Sequence, residues 1–333
     1  MTNQGKKKYS VIILVISALV TISTMTSCLA VIDARQHQAE TEAILRVEYN
    51  GTVRRDIEYE SEYHNSYDLY LPEETDGVNS KHLILYIHGG GWTSGDKTDG
   101  NLWCRYLSSR GYTTMTVNYT LQDKNHKTNV ILVNNQVISA AEHAVAKCLE
   151  LGITLEDMAV TGFSAGGAQA LLYGLKETDT VLPVRFIFQQ SGPTTFDPDI
   201  WNNGELHFLV AKTVGLDGSA ESKAKWLERF SGQSIDASEI GTQKERDIID
   251  LISPVAYVRN DSVPILCAYG VYDGVVPPAC RIELEKALQE SGYPIDEKYC
   301  AIIMPNSGHA LTFDVDQQRE FLVKVTEYCE QYF

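Results

Sequence analysis

From about Val53 onward, short apolar runs alternate with longer stretches of helical periodicity. His82 to Ile87 is an unbroken apolar run, the pattern of a strand covered on both faces. Tyr112 to Tyr119, Met158 to Thr161, Val184 to Gln189, Pro264 to Tyr269 and Lys298 to Met304 predict further strands. Between them lie helical patterns at Leu102 to Arg110, Val130 to Leu149, Ala168 to Lys176, Pro278 to Gln289 and Gln317 to Tyr328. Gly111 and Gly152 stand just beyond two of these, as stop signals. Val53 to Leu71 alternates in the manner of two antiparallel strands, the second closed by Pro72. Strands alternating with helices predict an α/β fold with a mostly parallel sheet covered on both faces. The alternation lapses from Phe196 to about Leu251, where the chain turns polar with helical patches such as Ser222 to Phe230. That stretch, about 196–251, is expected to be a cap inserted over the carboxyl edge of the sheet. Ser253-Pro254 returns the chain to the core.

The segment ahead of this pattern has a different character. Lys6-Lys7-Lys8 precedes an apolar run from about Val11 to Val20, and small and polar residues then lead to Cys28. This is the layout of an export signal, with a core short of the ~20 apolar residues a membrane span needs. Residues 1–27 are expected to be the signal. Met25-Thr26-Ser27-Cys28 resembles the lipobox of bacterial lipoproteins, with Met25 in place of the usual leucine. An exported protein is therefore expected, held at a membrane surface through lipid on Cys28, or else secreted after cleavage nearby or kept by an uncleaved anchor. Residues 28–52 would form a tether or leading helix, and 53–333 the main domain. Six cysteines follow: Cys104, Cys148, Cys267, Cys280, Cys300 and Cys329. Export permits disulfides, but the spacing selects no pairing. Cys267, in an apolar run, has the setting of a buried thiol.

Composition narrows the partners. The 333 residues are 44% hydrophobic, enough for one sizeable core, and carry a formal charge of −16. That balance argues against nucleic acid, whose phosphates need basic clusters.

Two glycine-rich loops carry the candidate chemistry. Gly162-Phe163-Ser164-Ala165-Gly166 lies between a predicted strand and a predicted helix. A serine on such a turn is pushed out at the carboxyl edge of the sheet, with a helix N-terminus behind it. His88-Gly89-Gly90-Gly91-Trp92 directly follows the strand His82 to Ile87. Three consecutive glycines cost conformational entropy, and a loop aiming backbone N–H groups at a ligand would justify them. Nucleotide readings fail here. Asp96 stands where a phosphate loop needs lysine, and Gly162-x-Ser164-x-x-Gly167 lacks the middle glycine of a dinucleotide fingerprint. Asp273 and His309 each follow a predicted strand, so Ser164, Asp273 and His309 share one sheet edge in the order nucleophile, acid, base. Of the other histidines, His88 has a structural position within the glycine loop. Asp261 precedes its strand and belongs to the opposite edge.

With these motifs in place the chain, over about residues 55–333, resembles the α/β-hydrolase superfamily. It is similar to the esterase branch related to hormone-sensitive lipase and to feruloyl and acetyl-xylan esterases. Tyr67-Asp68-Leu69-Tyr70-Leu71-Pro72, His88-Gly89-Gly90-Gly91-Trp92, Ser94-Gly95-Asp96-Lys97 and Gly162-Phe163-Ser164-Ala165-Gly166-Gly167 carry the likeness. The resemblance implies a serine carboxylesterase with Ser164, Asp273 and His309 as triad. It implies an oxyanion hole from the N–H groups of Gly90, Gly91 and Ala165, and no metal or organic cofactor. A small-molecule or carbohydrate ester is the implied substrate. One departure is Asn118-Tyr119-Thr120-Leu121, where threonine replaces the family's usual arginine and puts a structural contact in question. The same triad also serves amidases, arylformamidases and peptidases, and a non-catalytic binding module on this scaffold is a third reading.

Overall fold

A computed structural model describes residues 38–177, 179–202 and 215–333. Residues 1–27, expected from the sequence to be an export signal, and Cys28 lie outside the described residues. Eight strands form one sheet: β1 (Thr52–Glu60), β2 (Asn65–Leu71), β3 (His82–Ile87), β4 (Thr113–Val117), β5 (Asp157–Phe163), β6 (Val184–Gln190), β7 (Ile265–Gly270) and β8 (Tyr299–Met304). Their spatial order is β1-β2-β4-β3-β5-β6-β7-β8. β2 runs antiparallel to both neighbours, and β4 through β8 pair in parallel. This is the α/β-hydrolase fold. Because β5, β7 and β8 are parallel, the loops leaving them emerge at one edge, and β5 stands in mid-sheet.

The helices are α1 (Asn101–Ser108), α2 (Val130–Glu150), α3 (Ala165–Lys176), α4 (Pro198–Asn202), α5 (Ala220–Ser231), α6 (Gln243–Ile252), α7 (Pro278–Glu290), α8 (Ile295–Lys298) and α9 (Val315–Tyr332). Local chemistry sets several ends. The Asn129 side chain accepts the Leu132 N–H at the start of α2, and Ser219 accepts from Ser222 N at the start of α5. Gly232, at φ 74°, closes α5 in the left-handed region. Residues 38–45 are helical, and Ile44 and Leu45 pack against the core on the α1 and α9 side.

Two large clusters cover the sheet faces. One holds Leu83, Leu85, Ile87, Val160 and the inner sides of α2 and α3. The other holds Phe186, Phe188, Trp103 and Phe321 from the face under α1 and α9. A third, smaller cluster binds α4, α5 and α6 to the α7 side through Trp201, Trp226, Leu227, Ile248 and Cys280. It gives the segment between β6 and β7 a core of its own. All six cysteines from Cys104 to Cys329 are free thiols. Cys267 is fully buried, and burial pushes its thiol up to about 12. Among the described residues, no helix is long and apolar enough to cross a membrane.

Candidate active site

β5 delivers Ser164 directly into α3. The serine adopts φ 54° and ψ −120°, a region that L-residues enter only under strain. Close packing enforces the turn. A Cβ on Gly166 would lie 2.0 Å from the Ile87 carbonyl oxygen, and one on Gly162 would lie 2.4 Å from the Gly166 carbonyl. Only glycine at both positions lets the elbow press against the end of β3. The Ser164 N–H donates to the Gln190 carbonyl at 2.8 Å, tying the elbow to β6.

The loops after β7 and β8 complete the arrangement. His309 Nε2 lies 2.8 Å from Ser164 Oγ, and His309 Nδ1 lies 2.8 Å from Asp273 Oδ2. Asp273 is 1% exposed, and its other oxygen accepts the N–H groups of Val275 and Val276 at 2.8 Å each. The carboxylate is therefore held at both oxygens, with one face turned to the imidazole. Two contacts on His309 and one in the loop before it fix the imidazole. Phe163 packs on its ring at 5.1 Å, Ser191 Oγ donates to its carbonyl at 3.0 Å, and Tyr272 N–H donates to Ser307 O in the preceding loop. Asp261 lies before β7, exposed, and pairs with Arg259 at 3.3 Å.

The glycine loop borders the serine. A Cβ on Gly89 would lie 3.2 Å from Ser164 Cβ and 2.9 Å from the Phe163 carbonyl, so this glycine makes the close approach. Gly90 and Gly91 follow at φ 104° and 60°. Among the described residues, neither of their N–H groups donates to another backbone group. Ala165 N–H, at the first turn of α3, likewise has no carbonyl of its own helix to reach. The next residue, Trp92, also stands at positive φ. Phe196 and Phe230 hold its ring at 5.6 and 5.5 Å. The aromatic cluster of the segment between β6 and β7 thus clamps the end of the loop.

Buried polar groups brace the loop from beneath. Tyr119 Oη donates to the His88 and Gly89 carbonyls, and its ring stacks on His88 at 4.2 Å. His88 Nδ1 donates to Gly89 O at 2.7 Å. Burial holds the His88 pKa below its ordinary value, outweighing the Gly89 carbonyl and the charges of Asp99 and Asp96. Further along, Lys97 Nζ reaches Asp56 at 2.7 Å and the fully buried Asp68 at 3.2 Å, and Arg55 also pairs with Asp68 at 3.0 Å. Burial acts to lower the Lys97 pKa, but the two carboxylates prevail and raise it. Lys97 N–H donates to Asn118, whose amide donates to Asp96. The motif residues Asp68, Asp96, Lys97 and Asn118 are therefore one network pinning the loop to β2 and β4.

The departure at Thr120 has a local resolution. Its hydroxyl accepts from Asn65 at 3.0 Å and from Gln136 at 2.7 Å. The same two amides donate to Glu60 at 2.9 Å each. Neutral amides meet the carboxylate without an arginine.

A profile of the BD-FAE family matches residues 67–288. The chain belongs to the BD-FAE family. This esterase-like family of α/β-hydrolases is consistent with the solved structures that share the fold. The thermophilic esterase Est2 of Thermogutta terrifontis superposes with a TM-score of 0.61 at 18% identity, covering 84% of this chain and 91% of that one. Its sarin-phosphonylated form gives 0.62 at 16% identity, over 84% and 94%. A truncated carbohydrate esterase from gut microbiota gives 0.60 at 19% identity, over 85% and 98%. At these identities the likeness is one of fold. Among curated proteins, isoprenylcysteine alpha-carbonyl methylesterase ICME of Arabidopsis thaliana is 34% identical over 71 residues. That stretch spans 21% of this chain and 16% of that protein's length.

Sequence reasoning placed Ser164, Asp273 and His309 at one edge, and they meet there. It did not single out Gly89, Phe163, Ser191 or the clamp on Trp92. The glycine run held a signal for Gly89. The other three depend on contacts distant in sequence.

Proposed function

We propose that this BD-FAE family member is a serine carboxylic ester hydrolase working through an acyl-enzyme. The observation that carries the reading is the unbroken 2.8 Å relay from Ser164 Oγ through the imidazole to a buried carboxylate. His309 Nε2 takes the Ser164 proton as Oγ attacks the ester carbonyl. The Asp273 carboxylate keeps the His309 proton on Nδ1 and stabilises the imidazolium that forms. The N–H groups of Ala165, Gly90 and Gly91 receive the oxyanion. Collapse expels the alcohol, protonated by His309. Water, deprotonated by the same nitrogen, then releases the acid. The Est2 complexes with phosphorus inhibitors and with butyrate are in keeping with a reactive serine and an ester or acyl ligand in a relative of the same fold.

A panel of p-nitrophenyl esters, acetylated xylan, feruloyl esters and peptide amides tests the reading, together with an organophosphonate probe. Esters are expected to turn over, and the probe is expected to modify Ser164. Ser164→Ala should lose a factor approaching ~10⁶ in turnover, by analogy with serine proteases. Turnover of amides alone, or more than a few per cent of activity in Ser164→Ala, overturns it.

We further propose export, with residues 1–27 removed and Cys28 lipidated at a membrane surface. The basic start, the apolar run and Ser27-Cys28 support this. Two or three acyl chains would anchor firmly at about 0.8 kcal/mol per buried CH₂. Mass spectrometry of the mature N-terminus decides it. An unmodified start at another residue removes the lipid claim.

A further inference from the structure

We propose that a cavity beside the glycine loop is a subsite for an anionic group, a carboxylate carried on the part of the ester remote from the reacting carbonyl. The inference rests on the ester-hydrolase reading. The cavity, about 450 Å³, lies between the start of α2 and the end of α5. Lys127, Lys225 and Arg229 stand on its wall, against the single carboxylate of Glu228. The chain as a whole has 44 acidic and 28 basic residues, so this wall runs against the general field.

Among the described residues, none of the three cations enters an ion pair. Arg229 lies 5.6 Å from the Phe230 ring. Lys225 and Arg229 are four residues apart on α5 and so share one face. Like charges at that spacing repel, and a third cation facing them adds to the cost. Nothing in the packing of α5 needs them: its buried side chains are Ser222, Ala224, Trp226, Leu227 and Ser231. An anion in the cavity removes the repulsion.

A second observation points the same way. A crevice of about 10 Å³ borders the cavity on the side of Gly91, and the two share Gln122, Thr128, Asn129 and Arg229. Trp92 and Thr128 line the crevice, each 6% exposed. Trp92 Nε1 and Thr128 Oγ1 are buried without a hydrogen-bond partner. The indole N–H only donates, so its missing partner is an acceptor. The crevice has room for about one oxygen atom, which a ligand lying across its mouth toward Arg229 supplies. With its carbonyl at Gly90 and Gly91, a substrate would pass over the mouth of the crevice, across the exposed Gly91, and place a carboxylate among the three cations.

Two matched substrate pairs test this. The first pair, 4-acetoxybenzoate and 4-acetoxybenzamide, carries the charge on the alcohol. The second, ethyl hydrogen adipate and its neutral half-amide, carries it on the acyl chain. The measured quantity is the ratio of kcat/KM for acid over amide. In at least one pair, Lys225→Gln/Arg229→Gln should lower that ratio about tenfold, the sum of a few partly exposed charge contacts. The double change Lys286→Gln/Lys324→Gln, which also removes two positive charges but none from the cavity wall, should leave the ratio within about twofold. General damage to the fold lowers both members alike and leaves the ratio unmoved. Ester hydrolysis with an unchanged ratio in the double variant overturns the subsite and spares the hydrolase reading. Hydrolysis of no ester overturns both.

Discussion

Replacing Asp273 by asparagine changes one atom and reverses the proton arrangement of His309. Val275 and Val276 both donate to Oδ1 of Asp273, while Oδ2 faces His309 Nδ1. An asparagine there must turn its carbonyl to the two backbone N–H groups. The opposite orientation would aim its NH₂ at both of them and leave buried donors unmet, at about 1–3 kcal/mol each. With the carbonyl so fixed, the NH₂ points at His309 Nδ1, which must then accept. The proton moves to Nε2, and that nitrogen donates to Ser164 Oγ at the very contact where it should take the serine proton. The shape survives and the base is lost. The expected fall in kcat is on the order of 10⁴, as for the equivalent change in serine proteases, or about 5.4 kcal/mol of barrier. The assay is kcat on a p-nitrophenyl ester, with thermal unfolding as the control for folding. Asp261→Asn is the comparison. Its carboxylate is exposed and, among the described residues, paired with Arg259 alone, so the change should be nearly silent. A loss below tenfold in Asp273→Asn, or a crippling loss in Asp261→Asn, refutes the reasoning.

Two further perturbations address the supporting structure. Gly90→Val should cost ~10²–10³ in turnover, because a Cβ there would sit 2.0 Å from the Ser94 carbonyl at φ 104° and displace a donor N–H. Gly89→Ala should act similarly by pushing the loop off Phe163 and Ser164, and unchanged turnover in both variants would put the oxyanion donors elsewhere. Lys97→Met leaves Asp68 buried with Arg55 alone, and about 3 kcal/mol of stability should be lost. Read by circular dichroism, that is a fall in Tm of roughly 6–10 °C. A fall under about 2 °C would mean that Arg55 and the Asp56 N–H suffice for Asp68.

The strand and helix pattern was legible because it rests on periodicity alone. His82 to Ile87 is a strand to the residue, and Val130 to Leu149 differs from the helix by one position. The shared edge of Ser164, Asp273 and His309 was also legible, since parallel strands place all their carboxyl-end loops on one side. The pairings within that edge were not. Periodicity says that Asp273 sits near His309, but only the tertiary structure shows Val275 and Val276 deciding which oxygen faces it. The motif residues Asp68, Lys97 and Asn118 stood out in the sequence as separate fragments. Folding makes them one network, because charges this deeply buried need partners drawn from three elements. Thr120 appeared as a missing arginine, and its replacement by Asn65 and Gln136 involves residues 55 and 16 positions away. The segment between β6 and β7 was visible only as a lapse in the pattern. Whether Trp92 reaches Phe196 and Phe230, and whether three scattered cations converge on one cavity, depends on how α5 packs. Sequence spacing carries no signal for contacts more than a hundred residues apart, and burial alone fixes them.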